Sequence, residues 1–266
     1  IIESDSGYSE ENWKLFAELG WLTVPFSEED GGLGGSAVDL MVVMEEFGKA
    51  NLVEPYLPSV VLCGCLISEL ATGEVKEQML GKLVGGDLQL ALAASETGSR
   101  FNSSKVATTA KSNGNSIVIN GRKIAVLNGS NANELLVVAR ESGGEVDADG
   151  ISVFLVNPDT PGVTVRSFTN IDGQKSSEID FTDVTVAASA RLGEQGKALM
   201  AIEKVIDKAI IAVSAEAVGV LETLLQKTVE YSKTRKQFGT VIGTFQALQH
   251  RMADMFIECQ LARSIV

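Results

Sequence analysis

Histidine is almost missing from this chain: His250 is the only one among 266 residues. A zinc centre built on several histidines is therefore excluded. A Ser-His-Asp triad would rest on that one residue, and no nucleophile motif points to it. Cysteine is sparse, at three. Cys63 and Cys65 flank one glycine in an apolar stretch, and Cys259 stands alone. That set offers no disulfide framework and points to a reducing compartment. Positive charge is short: 22 Lys and Arg face 35 Asp and Glu, a net charge of −13. Such a balance argues against sequence-independent nucleic-acid binding. Long apolar runs are also lacking. The best, Val60–Ile67, contains Gly64 and is too short for a membrane span, so none is expected. The first residue is not Met and no signal pattern follows it. The expectation is a trimmed N-terminus without an address, and a bacterial cytoplasm ahead of a mitochondrial matrix.

What is there divides the chain. Residues 1–88 hold 16 acids and 4 bases, 89–190 hold 11 and 8, and 191–266 hold 8 and 10. The acidic excess is thus confined to the first third, where a solvated acidic face would account for it. That third reads as helices. Ser9-Glu10-Glu11-Asn12 opens one, with Trp13, Phe16 and Ala17 at helical spacing and Gly20 as its stop. Glu28–Gly35 is a Gly-rich turn. Ala37–Phe47 carries Leu40, Val43, Met44 and Phe47 on one face. Ser59–Leu70 is apolar nearly all round, and Val75–Leu83 follows.

From about Leu88 the period changes to two. Leu90–Ala94, Val106–Lys111, Ser116–Ile119, Arg122–Leu127, Leu135–Arg140, Ser152–Val156, Val163–Ser167 and Glu178–Val186 read as strands. Asn113-Gly114-Asn115 and Asn120-Gly121 are turn signals between neighbouring runs. Short strands at this spacing predict a small antiparallel barrel or sandwich. After Gly196 helices return, over Lys197–Tyr231 and Phe245–Val266. The order is helices, strands, helices, an α+β arrangement rather than an alternating one. The expected domains are 1–88, 89–190 and 191–266.

Four collinear motifs sit on this plan. The first is Ala17-Glu18-Leu19-Gly20-Trp21-Leu22, with Pro25 and Gly31-Gly32-Leu33-Gly34 after it. The second is Ala93-Ala94-Ser95-Glu96-Thr97-Gly98. The third is Ile119-Asn120-Gly121-Arg122-Lys123, followed by Asn128-Gly129 and Ala132. The fourth is Tyr231–Ala253, YSKTRKQFGTVIGTFQALQHRMA. Together they resemble the acyl-CoA dehydrogenase family of flavoproteins over essentially the whole chain. The variants look most like the branch containing pimeloyl-CoA dehydrogenase small subunits. The resemblance implies an N-terminal helical domain, a middle antiparallel β-barrel and a C-terminal helical bundle, the last incomplete here. It implies FAD as cofactor and α,β-desaturation of an acyl-CoA thioester, as in fatty-acid β-oxidation. An electron-transfer flavoprotein would be the acceptor.

The same resemblance names site residues. Leu92, Ala94 and Ser95 match positions along the isoalloxazine ring, with Ser95 at its pyrimidine end. Arg235, Gln237, Phe238 and Gln246 match a set that holds the pyrophosphate of FAD in a neighbouring subunit. Pattern alone leaves Arg235 open. With Lys233 and Lys236 it suits a bidentate grip on phosphate, or it complements a helix C-terminus. Departures matter as much. Ala125 and Leu127 stand where many members carry a Trp lid and a Thr donor, and Arg100-Phe101 replaces Gly-Ser. At one family position for the catalytic base the chain has Ala209, followed by Ile210 instead of Arg. Asp207, Glu203 and Glu216 are nearby acids, none at the base position. No catalytic base is visible, so it lies beyond Val266 or comes from another subunit.

Two functional expectations follow. One is an acyl-CoA dehydrogenase or a subunit of it. The other is a non-catalytic subunit that lends Arg235 in trans to a paralogous chain. Apolar faces at Val213, Ala217, Val220 and Leu224, and at Leu248, Met252, Met255 and Cys259, predict a homo- or hetero-oligomer.

Overall fold

The computed structural model describes residues 1–266. The chain forms two compact units. One comprises residues 1–35 and 53–209, the other residues 36–52 and 210–266.

In the first unit, helix α1 (Glu10–Glu18) starts where Ser9 caps the Asn12 N–H and stops before Gly20, whose φ of 75° reverses the chain. Trp13 and Phe16 are its buried face. A π-helix (Leu57–Gly64) runs directly into α3 (Cys65–Leu70), and α4 (Gly73–Val84) follows. Gly64 is required there, because a Cβ would stand 2.5 Å from the Phe26 ring and 2.7 Å from Leu83. Helix α5 (Leu199–Thr234) begins in this unit.

Eight strands make one sheet: β1 (Leu90–Ala93), β2 (Thr109–Asn113), β3 (Ser116–Leu127), β4 (Glu134–Arg140), β5 (Ile151–Val156), β6 (Val163–Thr169), β7 (Lys175–Ala187) and β8 (Arg191–Leu192). The order is β6-β7-β3-β2-β4-β5-β8, with β1 also on β4. Two expectations are corrected here. The sheet is not a closed barrel, since β6 and β8 end it unpaired with each other. It is not purely antiparallel either: β1 and β2 both run parallel to β4. Hairpin neighbours β2–β3, β4–β5 and β6–β7 are antiparallel, whereas the long connection from β1 to β4 lets them run the same way. Ile117, Ile119, Val126, Leu135, Val137, Phe154, Ile179 and Phe181 fill the core of this layer.

The Asn120-Gly121 signal is not a turn. Strand β3 continues through it, with register shifts at Ile119/Gly121 and again at Lys123/Val126. Asn120 spends its side-chain amide on Asp183 instead, donating to the carboxylate and accepting from the Asp183 N–H. Gly121 is needed for close approach, because a Cβ would meet Thr108 Oγ1 at 2.4 Å.

In the second unit, α2 (Ala37–Ala50) opens with a reciprocal Ser36–Asp39 capping box. It crosses α5 at two glycines. A Cβ on Gly48 would lie 2.0 Å from the Glu216 carbonyl, and one on Gly219 would lie 2.0 Å from the Glu45 carbonyl. Helix α6 (Gln246–Ile265) is tied in by Arg263, which donates to Glu222 and Glu45. Between α5 and α6 is a hairpin of β9 (Lys236–Gln237) and β10 (Thr240–Val241). Contrary to the sequence expectation, one helix, α5, is long and apolar enough to cross a membrane by length and composition. The apolar positions are broken by Glu216 and Glu222 rather than gathered in one run. Glu222 is ion-paired with Arg263 and Lys49, as in a bundle helix.

Candidate functional site

The end of β1 is the first candidate element. Leu92 and Ala94 are half-buried, and Ser95 is exposed. Their backbone is fastened from behind by β3. The Ile124 N–H donates to the Ser95 carbonyl at 2.9 Å, and Lys123 Nζ donates to the Ala94 carbonyl at 3.2 Å. Ala125 and Leu127 follow on the same stretch of β3. Ala125 is exposed and has a φ of 51°, in a conformation unusual for a residue with a Cβ. It sits in the register shift between Lys123 and Val126. The structure therefore brings the Ser95 backbone to the β3 bulge that holds Ala125, the position the sequence singled out for its missing Trp, with Leu127 back in register beyond it.

Behind this surface is a buried ion pair. Lys123 is fully buried, and its Nζ lies 2.6 Å from Glu96 Oε1. The carboxylate also accepts the Ala107 N–H at 2.7 Å and the Thr108 N–H at 3.0 Å. Burial pushes the Lys123 ammonium down to about 8 against the pull of Glu96. Burial also raises the Glu96 carboxyl, but Lys123 and the Thr108 and Ala107 bonds outweigh it and hold the group below its ordinary value. Both residues stood in the sequence motifs, yet their pairing was not anticipated. The available signal was a lysine at an inward position of β3.

Because Glu96 titrates lower in the folded chain, the unfolded chain takes up its proton first as pH falls. While Lys123 keeps its proton, below about 8, the contribution of Glu96 is whole above the unfolded value of about 4.5 and drains away as pH drops through the folded one. Glu96→Gln is expected to flatten this part of the acid slope. Urea-unfolding free energies measured from about pH 5 to pH 3 check it. An unchanged slope would refute it.

Arg140, at the end of β4, was also missed. It is buried without a carboxylate partner. Its guanidinium donates to the carbonyls of Ser104, Val106, Ser142, Glu145, Asp147 and Asp149. It thereby ties the return limb of the loop bearing Arg100 and Phe101 to the loop after β4. Arg100 has a φ of 50° and Phe101 is fully exposed.

The second candidate element belongs to the other unit. Arg235, Gln237, Phe238 and Gln246 are all exposed. Phe238 and Gly239 form the turn of the β9–β10 hairpin, with φ of 52° and 80°. Positive φ at both turn residues is the mark of a type I′ turn, where Asn or Gly is the usual first residue. Here it is an aromatic, 92% exposed, with its ring edge-on to Phe245 at 6.3 Å. Gln246 is the first residue of α6, whose N-terminus has no side-chain cap. Lys233 and Lys236 flank Arg235 and are exposed.

The acids weighed as bases are all on α5. Glu203 and Asp207 are exposed and Glu216 is half-buried, with its backbone against Gly48. Ala209 is buried and Ile210 exposed. A cleft of about 670 Å³ is lined by Leu70, Thr72, Arg191, Gly193 and Lys197 among others. None of the site residues expected from the sequence lines it. Its two basic residues are already paired, Arg191 with Glu141 and Lys197 with Asp149.

Three family models match in chain order. They are the N-terminal domain of acyl-CoA dehydrogenase over residues 2–87, its middle domain over 91–184 and its C-terminal domain over 199–266. A probable acyl-CoA dehydrogenase of Bacillus subtilis, YngJ, is 33% identical over all of this chain and 71% of its own length. The structure of butyryl-CoA dehydrogenase from Megasphaera elsdenii is 31% identical, with a TM-score of 0.87, covering 97% of this chain and 69% of that one. The ChsE4–ChsE5 complex from Mycobacterium tuberculosis is 28% identical, with a TM-score of 0.84, covering 97% and 67%. With all three of its domain models matched in order, the chain belongs to the acyl-CoA dehydrogenase family, whose members are FAD-dependent oxidoreductases.

Proposed function

We propose that this chain binds FAD and takes part in α,β-desaturation of an acyl-CoA thioester, with an electron-transfer flavoprotein as acceptor. The observation that carries the reading is the β9–β10 hairpin. An aromatic side chain held at positive φ and left in solvent is costly for an isolated chain. Beside it stand an unpaired arginine, two lysines and an uncapped helix N-terminus, a donor set suited to a pyrophosphate. On the other unit, Leu92 and Ala94 offer an apolar strip and Ser95 a hydroxyl, a set suited to a flat ring with one polar edge. The residues fit the group. Arg235, Gln237, Phe238 and Gln246 would hold the pyrophosphate end, in a neighbouring subunit, and Leu92, Ala94 and Ser95 the ring. FAD, when bound, supplies the two-electron acceptor for a hydride from the substrate β carbon. The chain's own part is to bind, orient and exclude water; the α-proton needs a base that Ala209 cannot be.

The expected test is Arg235→Ala. Loss of a charge-assisted, bidentate grip is expected to weaken FAD binding about 100-fold, by the usual 1.5–3 kcal/mol per charged hydrogen bond. Flavin fluorescence titration measures it. Affinity within twofold of the parent would overturn the assignment.

A second reading is favoured by Ala125, exposed on the bulge, and Leu127, half-buried just beyond it. A small side chain and an aliphatic one leave the ring without a lid or a side-chain donor. On this reading the chain is a subunit of the pimeloyl-CoA dehydrogenase small-subunit kind, paired with a paralogue that carries the base. The exposed apolar residues Val213, Leu224 and Leu248 support an oligomer of either kind. The domains are proposed as 1–88, 89–190 and 191–266, in a bacterial cytoplasm. Activity only on co-expression with a paralogue would select the hetero-oligomer, and turnover by the chain alone the homo-oligomer.

A further inference from the structure

We infer that the buried Lys123–Glu96 pair is a positioning element for the flavin ring, with Lys123 acting through the Ala94 carbonyl. The inference rests on the reading of β1 as the cofactor strand. Lys123 has no route to solvent, so its position is set by two acceptors, Glu96 Oε1 and the Ala94 carbonyl. Glu96 in turn is fixed by the Ala107 and Thr108 N–H groups. The Ser95 carbonyl is turned the same way, onto the Ile124 N–H. With both carbonyls held inward, the half-buried Leu92 and Ala94 and the exposed Ser95 make up the open side of the strand. One ammonium and one carboxylate are thereby fixed close behind that strand, in a dry environment where their field is little screened. Removing either charge unbalances the field in opposite senses.

That opposition separates a positioning role from a merely structural one. Lys123→Met and Glu96→Gln both break the pair, and both are expected to lower the Tm. Lys123→Met leaves an uncompensated carboxylate behind the ring, so the flavin midpoint potential of the FAD-loaded protein should move negative. Glu96→Gln leaves no such charge, and its potential should stay put or move positive. Spectroelectrochemistry on the holoprotein, in complex with a paralogous chain if one is needed, reads both. Potentials that shift together, or that do not shift in Lys123→Met, would overturn the inference. If Lys123→Met does not fold, the Lys123→Met/Glu96→Gln double variant takes its place. It differs from Glu96→Gln only in the ammonium, and its FAD affinity should be about tenfold weaker, the scale of one charged hydrogen bond. Equal affinities would overturn the inference. A parent protein that takes up no FAD overturns the cofactor reading and this inference together; a parent that binds FAD beside indifferent variants overturns this inference alone.

Discussion

Arg140→Met is expected to destabilise the first compact unit by about 3 kcal/mol, the upper end of the cost of leaving buried polar partners unsatisfied. Methionine fills much of the same volume, so the cost is one of hydrogen bonding rather than of a cavity. Six carbonyls converge on one guanidinium: Ser104 at 2.7 Å, Asp149 at 2.9 Å, Asp147 at 3.0 Å, Val106 and Glu145 at 3.1 Å, and Ser142 at 3.3 Å. Several of these belong to exposed residues, and water can reach them once the loops open. The loss is therefore smaller than a sum over bonds, and it takes the form of local unfolding. Residues 99–107 and 141–150 should lose hydrogen-exchange protection before the sheet does. Lysine at this position can reach only some of the carbonyls and should recover little. Urea unfolding and exchange by mass spectrometry check both points. A variant as stable as the parent would mean that the loops hold themselves.

Gly219→Ala is expected to cost about 3 kcal/mol, the upper part of the overpacking range. The obstacle is not a side chain that can turn away. A new methyl group would stand 2.0 Å from the Glu45 carbonyl and 2.9 Å from the Lys49 N–H, both backbone atoms of α2. The helices must separate. Doing so disturbs the Arg263 bonds to Glu45 and Glu222 and the Thr223 hydroxyl bond to the Lys49 carbonyl. Gly48→Ala meets the Glu216 carbonyl in the same way, and the two substitutions should be less than additive because either alone parts the same crossing. A helix propensity gain of up to about 1 kcal/mol opposes the effect and is outweighed. Thermal unfolding followed by circular dichroism reads the balance. A raised Tm would mean that the crossing relaxes without loss.

The helices were legible because their signals are local. Ser9 and Gly20 bracket α1, and the spacing of Leu40, Met44 and Phe47 marks α2. The strands were legible by alternation, and the Asn113–Asn115 turn by its composition. The failures were non-local. Asn120-Gly121 reads as a turn in isolation, but Asp183 and Thr108, distant in sequence, turn it into a bulge within β3. Parallel pairing of β1 with β4 leaves no mark on either strand's own pattern. The Lys123–Glu96 pair and the Arg140 loop anchor each join residues that no spacing rule connects. Site residues were legible only as motif positions. Ser95 and Phe238 carry no chemistry until their exposure and backbone conformation are known.

The central claim is that this chain is a flavin-binding member of its family. It is tested most directly by equilibrium titration of FAD into the purified protein, alone and co-purified with a paralogous chain, followed by the flavin absorbance band. The account predicts saturable binding with a shifted, structured flavin spectrum in at least one of the two preparations, weakened by Arg235→Ala. A spectrum that remains that of free FAD in both would contradict it.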